Sequence, residues 1–518
     1  MAIEKEHCDV LVIGGGIAAL CAAISARDSG ASVTLLNKGI TGQSGSSPKA
    51  AGILAAPFGH GDSEQRPWED DADLYASDVL RVGKNINDPS LVRFVADQAA
   101  SSVRWLEGLG VNFSKAPDGG FLQLNAPGNS RPRGCSAIGG GSAVIRCLTE
   151  EVRRIGVNVL DSVQPRQLLK DGKKVSGSLL QDKNDKTKII NAKATILAAG
   201  GATGLFKYLS GDQINTGGGL MLGFDAGAKV SNLDFVEFTL IYRVKGKPLR
   251  IAGLAPFMAR GALLLNSRGN DLVEKYFPTS APETVSRADL LFAVQNECQS
   301  SGGPVMLDAR HFSNSTWHDF EIGQGAPVLD KLKNAGCNPK KELVEVLPAA
   351  HSILAGLVID QDAATTVTGL YAAGENATGI HGAGRLSGNG LTSSVVMGRV
   401  AGKKAAAHPD GEVTHRTNYV DQNIQETIKI TKKDRNSLEA IKLKIREAAE
   451  SGLGVIRNEK DLKAAMDTFA AMEKELQKFN LKIPSTFEIW QMTRLASMMA
   501  SAALEKQMNH FGQYEIFP

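Results

Sequence analysis

Val10–Ile13 is a short apolar run that ends in Gly14-Gly15-Gly16-Ile17-Ala18-Ala19 and an alanine-rich stretch to about Arg27, after which Ser32–Leu36 is again strand-like. Strand, G-x-G-x-x-A, helix, strand is a βαβ unit whose glycines permit a tight turn and let backbone approach a pyrophosphate. The helix N-terminus adds unpaired N–H groups and the positive end of a dipole. This order predicts an α/β, Rossmann-like domain that holds a dinucleotide at Gly14, Gly16, Ile17, Ala18 and Ala19. The second strand runs into Asn37-Lys38, where an acid normally takes the ribose hydroxyls. The Asn37 amide can bond a hydroxyl in its stead, which favours a cofactor held by many other contacts over a free nicotinamide nucleotide.

Glycine makes up 55 of 518 residues, nearly 11% against about 7% on average, and the excess is clustered. Thr41–Gly52 is a second Gly/Ser-rich loop, suited to backbone approach to a flat ring or a phosphate. Lys193–Leu197 is strand-like and ends in Ala198-Ala199-Gly200-Gly201-Ala202. Further on come Gly369-Leu370-Tyr371-Ala372-Ala373-Gly374-Glu375 and His381-Gly382-Ala383-Gly384-Arg385-Leu386-Ser387-Gly388-Asn389-Gly390-Leu391, then a helical stretch from Thr392 to Ala407. Strand ends this far apart imply one sheet built from distant segments, with an insertion between about Phe238 and Ala350. The insertion is mixed: Ala262–Leu265 and Val305–Leu307 are strand-like, and a helix is expected near Arg287–Glu297. Beyond about His415 three stripes fall at helical spacing: Leu438, Ile441, Ile445 and Ala448; Leu462, Met466, Phe469, Met472 and Leu476; Leu495, Met499 and Ala502. The expected domains are 1–237 and 351–410 for the dinucleotide, 238–350 as a capping domain, and 415–518 as a helical domain.

The formal charge of +3 is too balanced to imply nucleic acid or an anionic membrane as partner. No run of 18 or more apolar residues occurs, so no spanning helix is expected. The N-terminus lacks the layout of a signal peptide. The six cysteines, Cys8, Cys21, Cys135, Cys147, Cys298 and Cys337, are scattered without a C-x-x-C pair. They are expected as buried thiols in a reducing cytoplasm, with no metal site and no iron–sulfur cluster.

In this order the motifs resemble the flavoproteins of succinate dehydrogenase, fumarate reductase and L-aspartate oxidase. The resemblance spans nearly the whole chain. It takes in the first βαβ, Ala198–Ala202, Asn215-Thr216-Gly217-Gly218-Gly219, Asp234-Phe235-Val236-Glu237-Phe238, Leu264-Leu265-Asn266, Pro348-Ala349-Ala350-His351 and the two late glycine blocks. It implies FAD as cofactor, with Gly14, Gly16 and Ala19 at the pyrophosphate and Asn37-Lys38 at the adenosine end. Ser46 and the Gly52 region would lie by the isoalloxazine, and Ser44, Gly45, Ala199 and Gly200 would also belong to the cofactor site. Glu375 would bind ribityl or ribose hydroxyls, and Asn389, Gly390 and Leu391 would present backbone to the flavin. Some members attach FAD through a histidine in the Ser/Thr-rich loop; that position falls on Gly45, and His60 lies too far along, so non-covalent FAD is expected.

The resemblance further implies hydride transfer between flavin N5 and an organic acid. Arg385 and His351 match two of the family's substrate-binding positions, and His381 falls on the structural or flavin side. A planar guanidinium suits a carboxylate through two parallel bonds. Other anchors are missing. The expected Gln-Phe-His-Pro-Thr reads Glu237-Phe238-Thr239-Leu240-Ile241, so Thr239 replaces the capping histidine. Ungapped alignment puts the proton-delivering arginine at Met258; a two-residue deletion keeps Arg260 in that role, with His351, Tyr242 and Arg243 as substitutes. The near-terminal arginine motif has become Lys506-Gln507-Met508-Asn509-His510. These changes point to an acid other than succinate, with electrons exchanged with an iron–sulfur or ferredoxin-like protein. The alternatives are an L-aspartate-oxidase-like enzyme, a flavin electron-relay component of a redox complex, and a sulfur-compound reductase of the adenylylsulfate type.

Overall fold

In the computed structural model, which describes residues 3–59, 69–126, 128–182, 186–279, 285, 287–322, 325–409 and 431–507, the first strand runs Glu4–Ile13 and the first helix Ile17–Asp28. Val10 to Ile13 pair in parallel with Val33 to Leu36 on one side and with Ala194 to Leu197 on the other. Across the sheet the order is Asn158–Asp161, Val33–Asn37, Glu4–Ile13, Thr187–Leu197, Lys174–Asp182 and Val163–Asp171, and Leu370–Ala372 also joins Thr187–Leu197 in parallel. Where they pair, Val10 to Ile13, Leu35, Leu36, Ile196 and Leu197 are buried, as in parallel strands covered on both faces.

Two glycine positions are dictated by close approach. Gly14 has φ +135°, and a Cβ there would lie 2.1 Å from the Ala198 carbonyl oxygen. The first glycine motif and the Ala-Ala-Gly-Gly strand end are therefore pressed together. On the helix Asn389–Ala406, a Cβ at Gly402 would lie 2.1 Å from the Ala22 carbonyl oxygen, so glycine is what lets this helix pack against Ile17–Asp28.

The strands Val236–Val244 and Val344–Ile353 pair antiparallel, with Phe238 opposite Ala350. They form the centre of a second, five-stranded sheet completed by Lys247–Leu249, Val305–Asp308 and Leu263–Leu265. The helices Lys432–Gly452, Glu459–Leu476 and Pro484–Gln507 follow. Their stripes are buried as the spacing predicts, except that Met466 is partly exposed and Ala503 rather than Ala502 closes the third. Phe238, Phe257, Leu438, Phe469 and Met499 belong to one hydrophobic core, so the tail helices and the second sheet are packed as a unit. All six cysteines are free thiols. No helix among the described residues is long and apolar enough to cross a membrane. Residues 410–430, which include the expected boundary at 415, and His60 lie outside the described residues.

Candidate active site

A cavity of about 1860 Å³ runs along the carboxyl ends of the parallel strands, where Ile13, Asn37, Ala198 and Gly374 line it. Ligands of open α/β sheets bind at such strand ends. The helix Ile17–Asp28 opens at Gly16 with no side-chain cap and no acid in its first turn, which leaves the positive end of its dipole for an anion. Ile17 N–H donates to Ser47 Oγ at 3.1 Å, and Ser46 Oγ accepts from Asn215 Nδ2 at 2.8 Å. Ser44 is bound to Ile40, and Gly45 N–H donates to Asp212 Oδ2 at 3.2 Å. The Gly/Ser loop is thus a fixed wall.

Most of the residues expected at the dinucleotide line this cavity: Gly14, Gly16, Ile17, Ala18, Asn37, Lys38, Ser44, Gly45, Ser46, Gly52, Ala199, Gly200, Glu375, Gly390 and Leu391. Ala19 and Asn389 are fully buried behind the wall. Asn389 Oδ1 accepts from Tyr75 Oη at 2.9 Å, and its Nδ2 has no partner among the described residues. Asn37 bonds its own turn, with Nδ2 3.4 Å from Thr41 Oγ1 and Oδ1 accepting from Gly39 N–H at 3.3 Å. Lys38 Nζ reaches across the chain to the Ile214 carbonyl at 2.7 Å, Thr216 Oγ1 and Glu488; it ties the tail helix to the cradle. Glu375 accepts from Gly201 N–H at 2.9 Å and from the Ser352 hydroxyl. Burial raises the Glu375 carboxyl above the usual range, against those hydrogen bonds and the nearby Arg385.

At the end of the cavity formed with the second sheet, Arg385 meets Glu237. Its Nε and Nη2 lie 2.9 and 2.8 Å from Glu237 Oε2, and Arg287 takes the other oxygen, Oε1. The Glu237 side chain is only 4% exposed. Burial alone would raise its carboxyl; the guanidiniums of Arg385 and Arg287 overcome this and hold it at about 2.

His351 also lines the cavity, with Nδ1 2.7 Å from Ser210 Oγ. Burial lowers its pKa to about 4, opposed by Glu237 and reinforced by Arg385 and Arg287. His381 Nε2 lies 3.3 Å from Ser393 Oγ, and its Nδ1 has no partner among the described residues. Burial, then Arg385, lowers it to about 3. Both rings are neutral at physiological pH.

Arg260 and Met258 both line the cavity, as does Thr239. Arg260 Nη1 donates to the Pro256 carbonyl at 3.0 Å, and its guanidinium lies over the Phe320 ring. Tyr242 and Arg243, expected as substitutes for it, lie elsewhere. Tyr242 is 1% exposed and packs on Phe257 in the core. Arg243 pairs with Glu345 and donates to Tyr208 Oη at 3.0 Å. Lys506 is bound to Asp234 at 2.9 Å, while Met508, Asn509 and His510 lie outside the described residues.

Sequence reading did not single out Arg287, Ser210 or Ser352. Nothing local distinguishes an arginine at the start of a helix, or a serine in a bend or a strand. The one visible signal was Glu237, an acid where the motif has an amide.

Residues 9–391 match the FAD binding domain family model. An L-aspartate oxidase from Agrobacterium fabrum is 33% identical over 408 residues, 77% of this chain and 74% of its own. One component of the fumarate reductase (CoM/CoB) of Methanothermobacter marburgensis is 28% identical across 100% of this chain and 96% of its own. A mutant of the E. coli quinol fumarate reductase FrdA superimposes with TM-score 0.84 at 22% identity, covering 97% of this chain and 90% of that one. Adenylylsulfate reductase from Archaeoglobus fulgidus gives 0.73 at 19% identity, covering 97% and 89%; these two likenesses concern the fold. The chain belongs to the FAD-dependent oxidoreductases of the fumarate reductase, succinate dehydrogenase and L-aspartate oxidase family. Its residues fit the cofactor: close-packed glycines at 14 and 15, where a Cβ would clash with Ala198 and Asn37, a helix N-terminus with no side-chain cap from Gly16, and a cavity large enough for a dinucleotide and a small acid.

Proposed function

We propose that this FAD-dependent oxidoreductase acts on an organic acid other than succinate, interconverting a C–C single bond beside a carboxylate and the corresponding C=C bond. The observation that carries this reading is the convergence of Arg385 and Arg287, with His351 beside them, on the cavity that also holds the dinucleotide cradle. Bound FAD supplies two-electron chemistry at its ring system. The chain supplies the rest. A guanidinium fixed in place stabilises charge as it develops on the carboxylate side of the substrate. Neutral His351, held by Ser210, can contact substrate without adding charge. Arg260 is the proposed proton donor; it must come within about 3 Å of the substrate carbon in the productive complex.

Interconverting the C–C and C=C bonds moves two electrons and two protons, one of them with the electron pair and one through the proton donor, and a separate redox protein is proposed to supply or remove the electrons. An iron–sulfur or ferredoxin-like protein is proposed for that role, in the cytoplasm. FAD is proposed to be bound without a covalent link, since Gly45 offers no nucleophile.

The test is to reduce the holoenzyme anaerobically and follow reoxidation at the flavin absorbance with a panel of unsaturated acids, fumarate included. Reoxidation by at least one acid is expected. Reoxidation by a small iron–sulfur protein and by no acid would replace this reading with the electron-relay one.

A further inference from the structure

Glu237, Arg385 and Arg287 come from a strand of the second sheet, a loop before a sheet-covering helix, and the first residue of a cap helix. Each Glu237 oxygen is taken by a different arginine. The group therefore presents two positive charges and one permanent negative one. We infer that Glu237 stands in place of a substrate carboxylate before these arginines, so that the site selects acids carrying a single carboxylate on an apolar body and rejects dicarboxylates. This inference rests on the organic-acid reading above and names its substrate class.

Three features support it. First, the open member of the group is Arg287, whose side chain is 41% exposed against 13% for Arg385; it is the guanidinium with donors left for an incoming carboxylate. Second, the neighbouring wall is apolar: Leu240, Leu254, Met258, Leu290 and Leu291 line it, with Thr239 as its small polar break. A second carboxylate brought into this space would be desolvated close to the Glu237 charge, and both effects disfavour it. Third, Arg260, which lines the same cavity, is assigned to proton donation rather than to a second carboxylate; one of its N–H groups is given to the Pro256 carbonyl and its guanidinium lies over the Phe320 ring. Asp330 and Lys331 together are formally neutral, and His351 and His381 are uncharged at neutral pH.

The experiment uses oxidised holoenzyme and pairs of saturated acids that differ by one carboxylate: butanoate with succinate, and 3-phenylpropanoate with phenylsuccinate. Binding is read by calorimetry and by perturbation of the flavin spectrum. In at least one pair the monocarboxylate is expected to bind roughly tenfold or more tightly than its partner. Glu237→Gln, which frees both arginines, is expected to reverse that preference. Arg287→Gln provides an independent arm that keeps the Glu237–Arg385 pair; it should weaken monocarboxylate binding about tenfold. Equal or tighter dicarboxylate binding in the wild type, no binding by either class, or Arg287→Gln without effect would each overturn the inference. Selective monocarboxylate binding with no acid able to reoxidise the flavin would sustain this inference while overturning the proposed reaction.

Discussion

Ser210 Oγ lies 2.7 Å from His351 Nδ1, a contact made across 141 residues of chain. Ser210 is itself placed by its N–H, which donates to the Ala350 carbonyl at 3.0 Å. A neutral imidazole has one donor and one acceptor nitrogen, and the partner of Nδ1 decides which nitrogen is left for the cavity. Ser210→Ala is expected to slow acid-dependent flavin reoxidation by about tenfold to hundredfold, with the flavin spectrum unchanged and Ser210→Thr restoring most of the rate. Stopped-flow kinetics would measure it; an unchanged rate would remove His351 positioning from the mechanism.

Arg385→Gln leaves Glu237 with Arg287 alone. Removing one partner of a buried pair typically costs about 3–5 kcal/mol, and the remaining arginine brings the expected loss to the lower end of that range. Acid-dependent reoxidation should disappear. Denaturant unfolding and reoxidation kinetics on the same preparation would show whether both losses occur.

Stability should fall in acid. His351 and His381 have folded values of about 4 and about 3, below the ordinary 6.5. Unfolded histidines take up protons near 6.5, whereas the folded rings resist until well below that. Their contribution is therefore complete above 6.5 and is lost as the pH falls from there through about 4 for His351 and about 3 for His381. Melting temperature followed from pH 7.5 downward should decline over this window, and His381→Asn should make the decline shallower.

Glu450 behaves in the opposite sense. Its Oε2 accepts from the N–H groups of Lys207 and Tyr208 at 3.1 and 3.2 Å, and burial raises its carboxyl to about 7. The folded state holds this proton more tightly than the unfolded chain, so its contribution is full below 4.5 and is lost as the pH rises through about 7. Glu450→Gln keeps an oxygen acceptor and carries no charge. It should raise the melting temperature by a few degrees at pH 8 and leave it nearly unchanged at pH 5.

Acid precipitation of the holoenzyme should leave a colourless pellet and release all the flavin. The position expected for covalent attachment is Gly45, and its neighbours Ser44 and Ser46 are not histidines. A pellet that stays yellow would disprove non-covalent binding.

The cradle was legible because its chemistry is local. Gly14 to Ala19 carry strand, turn and helix start within a few residues, and the observed helix Ile17–Asp28 lies where that spacing puts it. Arg385 and His351 were singled out through the family resemblance of the motifs that carry them, and both line the cavity. The same kind of reasoning failed for Tyr242. Its place in an apolar strand looks the same whether the ring faces a ligand or the core, and it faces the core.

By itself, the sequence determined the α/β class, the dinucleotide cradle and the helical tail, since periodicity and glycine spacing act over one or two turns of chain. Tertiary packing decided the charge at the end of the cavity where the acid is proposed to bind. Residues 237, 287 and 385 lie on separate elements, and only the packing of the helix that begins at Arg287 and of the loop that carries Arg385 against the second sheet brings them within hydrogen-bond reach. Burial there makes the difference between an arginine that awaits a carboxylate and one that already holds one, because a charge removed from water must be matched by its neighbours.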